Sequence, residues 1–191
     1  MRLLDLLRPG SLRRTRPSSP PAPAGPPRGE LGEPVALRLD LVRAPRAIVI
    51  MRGAVAYSTG LEFDTDIVGR DDLDLREGLV FQLHQRVGLG RRIPRKLVRL
   101  GVAFADGRRA TSLDFLSPAE PDGERAAALT LVCQRGGGSG RRWRLSWWLA
   151  PLPPEGPVTV ECEWPWSEVP ASRQTFDAGP LREAAERSER F

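Results

Sequence analysis

The sequence predicts an all-β fold: an immunoglobulin-like antiparallel β-sandwich of about eight strands, with a short C-terminal helix and a disordered N-terminal arm. Two observations predict it. Successive segments alternate apolar and polar residues at the period of two that marks a half-buried strand, and turns bearing Gly, Pro or Asp separate them at short intervals. Clear helical spacing is confined to the C-terminal end, which puts helix at the margin of the architecture rather than in its layers.

The chain divides after residue 33. Residues 1–33 carry Pro9, Pro17, Pro20, Pro21, Pro23, Pro26 and Pro27 among Ser, Arg and Gly. Such a segment cannot bury enough apolar surface to offset its ordering entropy, so it reads as a disordered arm with polyproline-II character around Pro20–Pro27. Leu3, Leu4, Leu6 and Leu7 read as a frayed terminus, because so short a helix is marginal in water.

The body, residues 34–191, opens with Val35, Leu37, Leu39 and Leu41 on one face of a strand. A more continuously apolar strand follows over Ala47–Tyr57, with Gly53 as a bulge position. Ser58-Thr59-Gly60 turns the chain, and Leu61, Phe63, Thr65 and Ile67 then alternate against Glu62, Asp64 and Asp66. Residues 69–96 read either as a helix capped by Asp71 or Asp72 and running through Leu73–His84, or as an irregular crossover loop. Leu97–Ala105, the Asp106-Gly107 turn and Arg109–Phe115 form a hairpin, and Pro118–Arg125 is a polar loop.

The stretch Leu129–Trp166 holds all the tryptophans and both cysteines. Leu129, Leu131 and Cys133 share one face, and Arg135–Gly140 reads as a flexible loop. Trp143, Leu145, Trp147 and Leu149 then face inward, which places Arg144, Ser146 and Trp148 outside. After the stiff Pro151–Pro157 turn, Val158, Val160, Cys162 and Trp164 alternate again, so the three segments form a β-meander. Arg173–Phe176 is a last strand. The closing helix has Asp177 as its cap, Pro180 in its first turn, and Leu181, Ala184 and Ala185 at core spacing.

The formal charge of +5 invites a nucleic-acid reading. Much of it sits in the arm, where six arginines face only Asp5, Glu30 and Glu33, so the body is close to balance. The first eight residues are too short and too interrupted by Asp5 for a signal peptide, and no apolar run approaches the ~20 residues of a membrane span. The expected location is the cytoplasm, where Cys133 and Cys162 are reduced thiols.

Several stretches carry a resemblance. Tyr57-Ser-Thr-Gly-Leu-Glu-Phe63, Gly101-Val-Ala-Phe-Ala-Asp-Gly-Arg-Arg109, Gly136-Gly-Gly-Ser-Gly-Arg-Arg-Trp143, Pro151-Leu-Pro-Pro154 and Glu161-Cys-Glu-Trp-Pro165 resemble a family of uncharacterised proteins from high-GC bacteria. That resemblance implies a shared β-rich domain and no activity, cofactor or residue role.

Chemistry is sparse. His84 is the single histidine, no Gly-x-Ser-x-Gly surrounds any serine, and no catalytic set assembles around it. The cysteines lack metal-ligand spacing and read as packing thiols. The acidic run Glu62, Asp64, Asp66, Asp71, Asp72, Asp74 and Glu77 fails as an EF-hand, with Val68 and Leu75 at ligand positions, and is expected to be a solvated face. No metal and no cofactor is expected.

The binding candidates are Trp148, Arg144, Arg91, Arg92, Arg95 and Lys96. Trp148 beside arginine and proline has the composition of an interaction hot spot. Gly88–Arg99 is the densest basic run, although Gly-Leu-Gly-Arg lacks the P-loop ending. The expected function is a non-enzymatic interaction module that binds a protein partner. Polyanion binding through residues 86–99 and the arm is the alternative, and a hydrolase using the carboxylates of residues 62–77 is the third reading.

Overall fold

A computed structural model describes residues 25–70, 98–114, 129–165 and 169–191. Within them the alternating segments become β2 (Glu33–Arg43), β3 (Ala47–Tyr57), β4 (Gly60–Gly69), β7 (Thr130–Ser139) and β8 (Arg142–Ala150), all antiparallel, in the order β2-β3-β4-β8-β7. A second, smaller antiparallel sheet runs β10-β9-β5-β6, from β5 (Arg99–Ala103), β6 (Arg109–Thr111), β9 (Pro157–Trp164) and β10 (Val169–Asp177). The expectation of about eight strands gives way to nine in these two sheets among the described residues.

The inward faces follow the predicted alternation. Leu61, Phe63 and Ile67 of β4, and Leu145, Trp147 and Leu149 of β8, meet Leu100, Val102, Val158, Val160 and Trp164 of the smaller sheet in one buried cluster. Thr65 shares this inward row and is as buried as its neighbours. Its hydroxyl accepts a hydrogen bond from Trp147 Nε1 at 2.9 Å, so the buried indole N–H is satisfied without water.

Register shifts within the described strands correct a strict period of two. Gly53, at φ +62°, is the extra residue between Arg52 and Ala54, as its position suggested. It shifts the inward set of β3 from Val49 and Met51 to Ala54 and Ala56. A further irregularity between Asp40 and Val42 lets both Leu41 and Val42 enter the core.

The glycine run is strand, not the expected flexible loop. Gly136, Gly137 and Gly138 pair with Leu145, Arg144 and Trp143, and the turn is only Gly140-Arg141, with Gly140 at φ +54°. At Gly138 a Cβ would collide with the Arg142 carbonyl, so that glycine serves close strand approach, whereas a Cβ at Gly137 would meet open space.

The N-terminal boundary also moves. Glu30–Leu31 forms β1, paired with β11 (Glu189–Arg190), and β2 begins at Glu33, so residues 25–33 belong to the folded body rather than to a disordered arm. Residues 1–24 lie outside the described residues. The arm's low apolar content was a poor guide here because a buried carboxylate supplies the anchor. Glu30 accepts the Ser58 backbone N–H at 2.5 Å and its hydroxyl at 2.7 Å, with Arg190 at 3.7 Å.

The helix α1 (Gly179–Glu186) starts beyond Ala178, one residue later than the expected cap at Asp177. Asp177 instead accepts the Gly179 N–H at 2.7 Å. Leu181, Ala184 and Ala185 are buried as the spacing required, and the two alanines pack on Ala56 of β3 with Val35 and Leu152. Among the described residues, no helix is long and apolar enough to cross a membrane.

Candidate functional site

The outer face of the larger sheet gathers charge in ordered rows. In one row, running across the strands, Arg52 of β3 stands opposite Asp64 of β4, Asp64 opposite Ser146 of β8, and Ser146 opposite Arg135 of β7. In the next row Asp66 stands opposite Arg144. A further row sets Glu62 opposite Trp148. The period of two puts the β3, β4 and β8 side chains on one face, and a register shift between Cys133 and Arg135 turns Arg135 of β7 onto it as well; the sheet register then brings them together.

The contacts form a network. Asp66 lies between two guanidiniums, accepting Arg52 Nη1 at 2.9 Å and Arg144 Nε at 2.8 Å. Asp64 accepts the Ser146 hydroxyl at 2.5 Å, with Arg144 Nε at 3.9 Å. Glu62 accepts Arg135 Nη2 at 2.6 Å. The Arg144 hydrogen bond holds the Asp66 carboxyl below its ordinary value, burial opposes it, and Arg52 reinforces it.

Arg144 is therefore where the sequence put it, on the exposed face, but paired with carboxylates. Trp148 is not. It is on the predicted outer face yet 0% exposed. Tyr57 packs edge-on against it with ring centroids 5.7 Å apart, and Gly60 lies so close that a Cβ there would sit 2.8 Å from the indole Cζ2. The β3–β4 turn covers the ring, so Trp148 is a packing residue and is corrected as a direct contact site. Nothing in its own strand signals this cover; it comes from a turn some ninety residues earlier in the chain, a separation of the order that long-range β pairing requires.

The other sequence candidates fare differently. Arg91, Arg92, Arg95 and Lys96, with His84 and Asp71–Glu77, lie outside the described residues. Arg99, at the end of the basic run, pairs with Glu163 at 3.4 Å. The described part of the acidic run lies on the outer face, as expected, but Glu62 and Asp66 are largely covered by the arginines that pair with them, and Asp64 stays half-exposed. Among the described residues, no group of three or more potential ligands could hold a metal ion. Cys162 is buried and Cys133 half-buried, on different sheets and both free, and burial pushes each thiol up to about 12. Such thiols stay protonated and unreactive at neutral pH.

Sequence patterning does not reveal an open recess of about 430 Å³ beside α1, where Glu155, Asp177, Glu183 and Glu186 converge with Arg182. Its members come from the β8–β9 connection, the end of β10 and α1, and no spacing rule links them. Arg182 is also tied to the Pro153 carbonyl at 3.1 Å.

No protein-family profile matches the chain, and neither a curated protein nor a solved structure is significantly similar to it.

Proposed function

We propose that this chain is a non-enzymatic, immunoglobulin-like module that binds a protein partner through the outer face of its larger sheet. The observation carrying the proposal is the arginine–carboxylate network, which crosses neighbouring strands on a rigid, exposed surface. Side chains ordered before encounter lose less entropy on binding, which suits a recognition face.

The strand order supports the immunoglobulin-like assignment. β3-β4-β8-β7 against β10-β9-β5-β6 follows the pattern A-B-E-D against G-F-C, with β6 as an added strand beside C and β2 as an added strand beside A. The core differs from that of antibody domains: Cys133 lies on the D-like β7 and Cys162 on the F-like β9, so the usual B–F bridge has no counterpart. Two free thiols support a reducing, cytoplasmic setting.

The hydrolase reading is weaker. A general acid needs a raised pKa, whereas Asp66 is held low by Arg144 and Arg52, which removes it from that role; Asp71, Asp72, Asp74 and Glu77 lie outside the described residues. The polyanion alternative remains as an outcome of the test. Tagged chain is expected to recover one stoichiometric protein from lysate, and the folded Arg52→Glu/Arg144→Glu variant to lose it. Recovery unchanged by that variant, or nucleic acid as the recovered component, would overturn the proposal.

A further inference from the structure

The geometry points to an acidic occupant for this face: an extended protein segment whose alternate carboxylates engage the outward edges of Arg52, Arg144 and Arg135. The inference rests on the interaction-module reading and names the partner's chemistry.

What an approaching partner meets depends on which charge of each pair faces outward. A salt bridge lying flat on a surface is electrically neutral to an approaching partner. Here the pairs stand upright. The Asp66 side chain is 9% exposed, beneath Arg52 at 58% and Arg144 at 55%. Glu62 is 15% exposed beneath Arg135 at 72%. At Asp66 and Glu62 the negative charge lies under the positive one, and Asp64, at 34%, is also less exposed than the three arginines, so the outermost charges of the face are the guanidiniums although its pairs balance on paper.

A guanidinium carries more N–H donors than a single carboxylate contact uses. Arg52 commits Nη1 to Asp66, Arg135 commits Nη2 to Glu62, and Arg144 commits Nε and Nη2 to Asp66. The remaining edges are donors held in place from below. Arginine in such a position suits planar, bidentate recognition of a carboxylate.

The spacing defines the shape of the occupant. Arg52 on β3 and Arg135 on β7 stand in one cross-strand row, with β4 and β8 between them, and the row runs on to Arg38 of the edge strand β2. Arg144 belongs to the next row, but its Nε reaches within 3.9 Å of Asp64 in this one. With strands about 4.8 Å apart, the stretch from Arg52 to Arg135 spans about 14 Å, and acidic residues at alternate positions of an extended segment recur about every 7 Å. An extended segment with three alternating carboxylates therefore covers the array. Single-stranded nucleic acid would need exposed aromatic platforms, and the aromatics of this face are the fully buried Trp148 and the half-buried Tyr57.

The test uses the full chain with a labelled Glu-Ser repeat peptide, its Gln-Ser counterpart and oligo-dT of matched charge, at physiological salt. The Glu-Ser peptide is expected to bind and the Gln-Ser peptide not. Arg52→Ala and Arg135→Ala should each weaken binding about tenfold, the loss of one charge-assisted contact. Arg135→Lys keeps a cation over Glu62, so it should fold normally and still bind less well. Arg173→Ala serves as control, because Arg173 also covers a buried carboxylate, Glu161, but on the smaller sheet. Failure of the Glu-Ser peptide to bind, equal loss with Arg173→Ala, or oligo-dT binding as tight would each overturn the inference. If the lysate partner is still lost on Arg52/Arg144 substitution, the face stands and only its acidic chemistry falls; if both fail, the face itself falls.

Discussion

At the scale of single residues, Asp66 concentrates the electrostatics. Its folded pKa is held below the ordinary 3.8 by Arg144 first, against burial, with Arg52 adding to the effect. A depressed carboxylate contributes stability that is fully present above the unfolded pKa and is lost as pH falls through the folded one. Asp66→Asn is therefore expected to be less stable at neutral pH and to show a shallower loss of stability below about pH 4. Acid denaturation monitored by tryptophan fluorescence checks this; parallel acid limbs in variant and parent would contradict it. Glu30 belongs to the same class: burial pushes it up, and the Ser58, Ser188 and Arg190 contacts outweigh burial to leave it lowered.

At the scale of elements, the β1–β11 clasp depends on Glu30, whose side chain is almost wholly covered. Glu30→Gln keeps the shape but removes the charge that receives Ser58 and Arg190. Amide hydrogen exchange is expected to quicken over residues 25–31 and 188–191 while β4 and β8 stay protected, since the clasp can open locally without disturbing the core. Uniform quickening would show instead that the clasp is part of the global unit. These elements also show what was legible beforehand. Period-two patterning located β4, β8 and β9 and their inward residues, because each strand carries its own burial signal along its length. Trp148, the glycine run and Glu30 were misread because their environments come from other segments: the β3–β4 turn, the β8 backbone and the C-terminal strand. Of the candidate face, Arg144 was legible, and the register that joins it to Asp66 was not.

At the scale of the whole molecule, one cluster of buried residues joins both sheets and Leu181 of α1. A core shared in this way ties the sheets to a common transition, so unfolding by urea is expected to give coincident curves by far-UV circular dichroism and by tryptophan fluorescence. Separate midpoints would mean that the sheets unfold independently. The charge distribution has the same global character. Arg135, Arg144, Arg173 and Arg190 all stand over carboxylates more buried than themselves. At these four places the layer that meets solvent is cationic, whereas at Arg99–Glu163 and Arg108–Asp106 the carboxylate is the more exposed partner.

The clasp also bears on how the chain could be rewired. The Phe191 N–H donates to the Gly29 carbonyl at 3.0 Å, so residues from opposite ends of the domain are hydrogen-bonded neighbours. In connectivity the domain is almost a ring, and a linker of a few residues between those points would close it. Opening that ring at the exposed Gly140-Arg141 turn would start the chain on β8 and end it on β7. The outer face would keep every one of its arginines, now presented by a circularly permuted scaffold.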